Sequence, residues 1–233
     1  MPPTMFRNRE HAGWLLVERL REEGAVAAAA TRPLVLAIPR GGVEVGAVIA
    51  RGLAADLDVV LARKLRAPSQ PELALGAVSE DGVVQLNHFA AALTDVGDAW
   101  IEGERKRQLG EIARRRQLYR GVRAQAPVAG RTVILVDDGL ATGATMIAAL
   151  RTVRAAQPAR LVVALPVAAP ERLAAVEAAC DRLVCLARPA EFVAVGQFYR
   201  SFEQVSDERV VELLREYGSA TTTWVGQTEP VGA

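Results

Sequence analysis

Short apolar runs alternate along the chain with segments whose apolar residues recur at helical spacing. The apolar runs lie at residues 34–38, 58–62, 133–136, 160–166 and 182–187. Such short, continuous runs are typical of strands buried on both faces of a sheet. The helical segments lie at residues 9–23, 43–53, 98–120, 170–179 and 206–217, and another starts at 144. The alternation predicts an α/β fold, with an open, mostly parallel sheet flanked by helices.

The stretch from about 65 to 97 departs from this alternation. It contains Asp81-Gly82 between two short apolar runs, 73–78 and 83–86, which is a hairpin signal. We therefore predict a single domain over residues 1–218, with an N-terminal helix at 9–23 and a small excursion at 65–97. Residues 219–233 are expected to form a mobile tail.

Composition narrows the class of protein. A hydrophobic content of 51% with only 5% aromatic residues suits an α/β core rich in Ala, Val and Leu. The net charge of +1 gives no basic surface for a nucleic-acid partner. No apolar run approaches the length of a membrane span, and the N-terminus lacks a signal-peptide pattern, so we expect a cytoplasmic protein. The two cysteines have no second Cys/His pair with which to form a zinc site.

Residues 131–150 carry the most informative chemistry. The buried strand at 133–136 leads directly into Asp137 and Asp138, and a turn of small residues then opens a helix. Whatever follows a parallel strand lies at the carboxyl edge of the sheet, where open α/β sheets bind ligands. Two carboxylates at that edge can accept hydrogen bonds from the vicinal hydroxyls of a sugar.

The turn that follows the two acids is suited to an anion. Its small residues are Gly139, Ala141, Thr142, Gly143, Ala144 and Thr145. They allow backbone N–H groups to close on a phosphate at the helix N-terminus, and the Thr142 and Thr145 hydroxyls add donors. Together, the acids and the turn describe a site for ribose 5-phosphate.

Two other phosphate motifs do not fit. A Walker A loop requires Gly-Lys, and neither Lys64 nor Lys106 follows a glycine. A dinucleotide fingerprint requires a glycine spacing that Gly41, Gly42 and Gly46 do not have. The remaining alternative is structural: the acids would end a strand, and a threonine would cap the following helix.

Basic residues follow two other strands predicted at the same edge. Arg40-Gly41-Gly42 comes after the strand at 34–38, and its glycines and guanidinium suit a phosphate. Arg63, Lys64 and Arg66 come after the strand at 58–62. A charge cluster is usually a solvated face, but at this edge it can neutralise a leaving pyrophosphate.

The motif at 133–145 resembles the phosphoribosyl-pyrophosphate (PRPP) binding motif of type I phosphoribosyltransferases. Four apolar residues, two acids, a short spacer and Thr-Gly-x-Thr all match, and the order of elements over residues 33–200 is similar. The resemblance implies a Rossmann-like fold with a flexible hood. It also implies Mg²⁺-dependent transfer of a phosphoribosyl group from PRPP to a base-like acceptor, with release of pyrophosphate.

The resemblance also implies residue roles. Asp137, Asp138 and Lys64 would be catalytic. The 5-phosphate would bind to Gly139, Leu140, Ala141, Thr142, Gly143, Ala144 and Thr145. Pyrophosphate would bind to Arg40, Gly41, Gly42, Arg63 and Lys64, with Lys64 a closer match than Arg63. Phe198 and Tyr199 would contact the base, although core packing explains them equally well. Magnesium would arrive with PRPP, with Asp137 or Asp138 as a protein ligand.

Several points stay open at the level of sequence. A PRPP-sensing regulator that has lost catalysis would keep the same motif. PRPP synthetases also carry the motif, but they are built from two such domains, and this chain has one copy. Glu72, Glu80 and Asp81 are candidate general bases. The acceptor is not defined, and a homodimer is compatible with the sequence.

Overall fold

The computed structural model describes residues 5–26, 31–68, 74–86 and 96–217, so the tail predicted at 219–233 lies outside the described residues. The helices are α1 (Arg9–Glu22), α2 (Gly41–Gly52), α3 (Asp98–Arg120), α4 (Ala144–Ala155), α5 (Pro170–Glu177) and α6 (Asp207–Tyr217). The strands are β1 (Leu34–Ala37), β2 (Asp56–Val59), β3 (Ala62–Arg66), β4 (Ala74–Ser79), β5 (Val84–Leu86), β6 (Thr132–Val136), β7 (Arg160–Val167) and β8 (Arg182–Ala187). A 3₁₀ turn covers Val195–Phe198. None of the described helices is long and apolar enough to cross a membrane.

The main sheet has five parallel strands in the order β2-β1-β6-β7-β8. β1 lies between β2 and β6, and Ala37 is level with both Val59 and Val136. Every residue of β1 and β6 is buried, because helices cover both faces of the sheet. The predicted α/β fold with a parallel sheet is therefore confirmed.

Alternation along the central strands divides the core between the two faces. Val35 and Ile134 belong to the cluster that includes residues of α1 and α2. Leu36 and Leu135 belong to the other cluster, with Leu150 of α4. Because successive side chains of a strand point to opposite faces, β1 and β6 contribute side chains to the apolar clusters on both faces of the sheet.

A second, antiparallel sheet of three strands, in the order β3-β4-β5, forms the hood. The hairpin predicted around Asp81-Gly82 is present, with Val78 opposite Val84 and Gly82 at φ +83°. The hood begins earlier than predicted, at Ala62. The apolar run at 58–62 is not a single strand, because β1 ends at Ala37 and leaves β2 no neighbour beyond Val59.

Helix α3 fastens the hood to the main sheet, and its bounds are those predicted. Glu104 accepts a hydrogen bond from the backbone N–H of Arg66 (3.2 Å). At the far end of the helix, Arg120 donates to the buried carboxylate of Asp58 (2.5 Å). That carboxylate also accepts from the N–H of Ala126 (2.8 Å). Helix α3 thus contacts the hood near its N-terminus and the main sheet near its C-terminus, and so connects the two.

The segment before α1 pairs with the chain near residue 200. The N–H of Phe6 donates to the carbonyl of Phe198 (2.9 Å), and the N–H of Arg200 donates back to Phe6 (2.8 Å). Helix α1 then begins at an Asn8 cap, whose side chain accepts from the N–H of His11 (2.9 Å). This pairing brings the first turn of α1 to the carboxyl edge of the sheet.

Candidate active site

The turn after β6 is anchored at Leu140. The N–H of Leu140 donates to the carbonyl of Val167 at the end of β7 (2.9 Å), and the Leu140 side chain is buried. The predicted phosphate contact from this N–H is therefore not available, because the group already has a partner. The side chain fixes the turn instead, and the segment that remains a candidate for phosphate binding shortens to residues 141–145.

Backbone and hydroxyl donors converge in the shortened turn. Within the described part of the chain, none of the N–H groups of residues 141–145 donates to a protein acceptor. Gly143 has φ +78° at the N-cap of α4, a conformation that favours glycine. The Thr142 hydroxyl is buried and has no partner among the described groups. A buried donor without a partner is costly, and an anion at the helix N-terminus would satisfy it.

The two acids lie between this turn and the hood. The N–H of Asp138 donates to Asp137 Oδ1 (2.9 Å). Burial raises the pKa of Asp137 well above its usual range, the charge of Asp138 adds to the effect, and the positive charge of Lys64 opposes it. The positive charge of Lys64 therefore acts on the acid pair.

Arg63 is directed away from the acids. Lys64 and Arg63 are neighbours on β3, so their side chains point to opposite faces of the hood. Arg63 Nε donates to Gln108 Oε1 on α3 (2.9 Å). The sequence placed both residues in a loop at the sheet edge, where either could face a ligand. The strand separates them and keeps only Lys64 near the acids.

The Arg40-Gly41-Gly42 segment lies directly beside the acids, because β1 and β6 end at the same level. A β-carbon on Gly41 would collide with the Asp138 carboxylate, and one on Gly42 would approach Asp137 Cα to 3.0 Å. A side chain at position 41 would therefore displace the Asp138 carboxylate, and one at position 42 would require a small shift of the backbone at Asp137. The half-buried Arg40 side chain has no hydrogen bond or ion pair to any described residue.

Arg9 is a site residue that the sequence analysis missed. It is the first residue of α1, is 7% exposed, and donates from Nε to Asp138 Oδ2 (2.8 Å). Burial raises the pKa of Asp138, whereas the Arg9 charge and hydrogen bond lower it. One sequence signal existed. A cation in the first turn of a helix opposes the helix dipole, so Arg9 needs another reason to be there.

Phe198 and Tyr199 do not have their predicted role. Phe198 is fully buried, and its ring lies 5.2 Å from that of Phe192. Tyr199 is 5% exposed and donates its hydroxyl to the backbone carbonyl of Asp138 (2.6 Å). Neither ring is available to stack on a base, because pairing with Phe6 draws this segment into the core. Tyr199 instead supports the loop that carries the acids.

Comparison with known proteins identifies the family to which the chain belongs. The phosphoribosyl transferase domain model matches residues 11–202. The chain therefore belongs to the type I phosphoribosyltransferase family, as its motif predicted.

Relatives with high sequence identity support this placement. Proteins of two Mycobacterium tuberculosis strains, named provisionally as phosphoribosyl transferases, are 42% identical over 210 residues, which is 90% of this chain and 46% of theirs. The chain thus spans about half the length of these curated relatives. The crystal structure of TT1426 from Thermus thermophilus is 45% identical, with a TM-score of 0.75, and the match covers 92% of this chain and 99% of that one.

Proposed function

We propose that the protein transfers the 5-phosphoribosyl group of PRPP to a nucleophilic acceptor and releases pyrophosphate. The observation that carries the proposal is the arrangement of two anion-binding segments on either side of the acid pair. The turn at 141–145 offers unpaired N–H groups and the buried Thr142 hydroxyl. Gly41 and Gly42 lie beside the acids in the loop after the neighbouring strand, and Arg40 directly precedes them. Two segments with donors for anions, together with a pair of carboxylates, suit a sugar that carries a phosphate at one position and a pyrophosphate at another.

In this proposal each group of PRPP has a partner. The 5-phosphate binds at residues 141–145, where the N-terminus of α4 favours negative charge. The ribose hydroxyls donate to Asp137 and Asp138. The pyrophosphate lies against Arg40 and the N–H groups of Gly41 and Gly42, and Lys64 approaches from the hood. Arg63 has no part in binding, since it is held by Gln108.

The reaction breaks the bond between ribose C1 and the pyrophosphate oxygen. The electron pair of this bond leaves with pyrophosphate, a lone pair of the acceptor forms the new bond to C1, and the acceptor loses a proton. Positive charge develops on the sugar and negative charge on the leaving group. In this proposal the carboxylates of Asp137 and Asp138 lie near the positive charge on the sugar. Arg40 and Lys64 lie near the negative charge on the leaving pyrophosphate, so fixed charges of the protein stabilise the transition state.

Magnesium fits this donor set through the substrate. Among the described residues, no group of three or more His, Cys, Asp and Glu side chains could hold a metal ion. Mg²⁺ is commonly held by one or two carboxylates together with substrate phosphates and waters. Asp137 or Asp138 with the PRPP oxygens would supply such a set, and the ion would neutralise charge on the leaving pyrophosphate.

The acceptor is proposed to enter beside the segment that follows β8. In this segment Val193 is 88% exposed, whereas Phe198 is buried. Val195 packs against Gly139, so the segment lies directly over the start of the motif turn. A flat, base-like acceptor that meets Val193 and Phe192 would be next to the ribose site. The acceptor's chemical identity is left to experiment.

Two measurements test the proposal. Titration calorimetry with PRPP and Mg²⁺ measures donor binding, and a screen of bases for pyrophosphate release measures turnover. We expect both for the wild type and neither for the double variant Asp137→Asn/Asp138→Asn. Glu171→Gln, an exposed change in α5, is the control for loss of a carboxylate. Unchanged turnover in the double variant would refute the assignment.

The same experiments separate the enzyme from the alternative of a PRPP-sensing regulator. Such a regulator would bind PRPP with Mg²⁺ and release no pyrophosphate with any acceptor.

A further inference from the structure

Arg9 is buried in a setting built around its guanidinium group. Nε donates to Asp138 Oδ2 (2.8 Å), and Nη1 donates to the carbonyl of Glu203 (2.8 Å). Glu44 Oε2, from the first turn of α2, lies 3.5 Å from Nη1. The ring of Phe202 stacks over the guanidinium at 3.9 Å. These contacts fix both the position of the guanidinium group and the orientation of its plane.

The local fold alone does not account for this residue. A cation in the first turn of α1 opposes the helix dipole, and burial of a charge is costly unless the charge is paired. Its close carboxylate partner is Asp138, 129 residues away. The stabilising contacts of Arg9 thus come from the acid pair and its surroundings rather than from the helix that contains it.

Arg9 and Gly41 together restrict the Asp138 carboxylate. Oδ2 is held by Arg9 Nε, and it occupies the space that a side chain at position 41 would fill. Tyr199 holds the backbone carbonyl of the same residue. With Oδ2 and the backbone both fixed, the orientation of the other carboxylate oxygen, Oδ1, is also fixed.

We propose that Arg9 is a positioning residue for phosphoribosyl transfer, which holds Asp138 in the orientation that receives a ribose hydroxyl. The inference rests on the proposed function. It assigns to Arg9 a larger effect on the sugar of the donor than on pyrophosphate. Its hydrogen bond fixes Asp138, whereas it meets the proposed pyrophosphate loop only beside Gly41 and makes no hydrogen bond to Arg40 or Lys64.

A cavity beside Arg9 makes a direct test feasible. It has a volume of about 310 Å³ and lies between α1, α2 and α6, with Arg9 in its wall. Exposed Glu10 and Arg209 line it, so small solutes can reach it from solvent. Removal of the guanidinium would leave a space that a small guanidinium ion can enter through this cavity.

The test compares PRPP and pyrophosphate binding, both with Mg²⁺, in Arg9→Ala. Pyrophosphate has no sugar, so its affinity should stay within about twofold, whereas PRPP affinity should fall about 10- to 100-fold, as expected for loss of a charged hydrogen bond. Millimolar methylguanidinium should restore PRPP affinity in Arg9→Ala. Arg7→Ala, an exposed neighbour, should change neither affinity.

Arg9→Lys keeps the charge but loses the planar fork, so it provides a second variant if Arg9→Ala folds poorly. Its PRPP affinity should fall by less than that of Arg9→Ala, again without loss of pyrophosphate affinity. Unchanged PRPP affinity would overturn the assignment, as would equal loss of both ligands in either variant, because that indicates a structural role. Failure of the wild type to bind PRPP would instead refute the proposed function, and this inference with it.

Discussion

Gly41 and Asp138 are packed so closely that any β-carbon at position 41 would collide with the carboxylate oxygen Oδ2 of Asp138. The first belongs to the loop after β1 and the second to the loop after β6. The two loops are therefore interlocked at the candidate site, because a side chain at position 41 could be admitted only if the Asp138 carboxylate moved.

Gly41→Ala should disrupt this contact. We expect PRPP affinity to fall at least about tenfold, and the free energy of unfolding to fall by about 1–3 kcal/mol, because an added methyl overpacks the site. Gly110→Ala is the control, since nothing lies within 4 Å of its added β-carbon in α3. It should leave binding intact and stabilise the helix slightly. Urea denaturation and calorimetry measure both effects; equal behaviour of the two variants would contradict the interlocked arrangement.

Thr142→Val should weaken the binding of ribose 5-phosphate without lowering the stability of the free protein. The buried hydroxyl has no described partner, so its removal should leave the stability of the free protein unchanged or raise it by up to about 1 kcal/mol. Ribose 5-phosphate affinity should fall about tenfold if the hydroxyl donates to the phosphate. Thr152→Val, which removes a hydroxyl bonded to the Ala148 carbonyl, is the control and should leave binding unchanged. Loss of stability without loss of affinity in Thr142→Val would contradict the phosphate site.

Lys64 and Arg63 are adjacent in sequence, but we expect only Lys64 to contribute to the binding of PRPP and pyrophosphate. Lys64→Gln should weaken PRPP and pyrophosphate binding about tenfold or more, because it removes a cation beside the acids. Arg63→Gln should change binding by less than about twofold and lower stability by about 1 kcal/mol, because it breaks the bond to Gln108. Calorimetry and denaturation of the two variants give both values. A greater loss of pyrophosphate affinity in Arg63→Gln than in Lys64→Gln would reverse this assignment.

Glu80→Gln should stabilise the protein at neutral pH. Burial raises the pKa of Glu80, which is partly offset by Arg120 and Arg116, and Oε2 has no described partner. Because its pKa is higher in the folded than in the unfolded state, the side chain is favourable below the unfolded pKa of about 4.3 and becomes unfavourable as pH rises through the folded value. The variant should gain up to about 1 kcal/mol at pH 7.

Denaturation of wild type and Glu80→Gln across pH 4–8 measures this difference, which should disappear towards about pH 4, where the wild-type carboxyl is protonated. Exposed Glu171→Gln is the control and should show no such trend. A variant that is less stable than wild type at pH 7 would show that ionised Glu80 is favourably paired.

The motif around Asp137 was predictable because its parts are contiguous in sequence. The strand, the acids, the turn and the helix follow one another within 20 residues, so local patterns define them. The role of Leu140 was not predictable in the same way. Its N–H could serve a phosphate or a neighbouring strand, and the choice depends on where β7 ends.

Other features of the site were not predicted from the sequence because they depend on tertiary contacts. The apolar run at 58–62 gives no sign of the break between β2 and β3, and that break determines which of Arg63 and Lys64 faces the acids. The burial of Tyr199 depends on its pairing with Phe6, far away in sequence. Arg9 reaches Asp138 through the same pairing. The sequence points to the candidate phosphate segment, whereas the residues that support this segment come from distant parts of the chain.

The parallel pairing of β1 with β6 also bears on how the protein folds. Residues 34–37 lie beside residues 133–136, and the hood and α3 are inserted between them in the chain. Closing so long a loop is entropically unfavourable, so this pairing is expected late in folding. The proposed pyrophosphate loop, residues 40–42, follows one strand, and the acids follow the other. A partly folded chain therefore lacks the complete pocket, and PRPP should bind only the native state and raise its melting temperature by mass action.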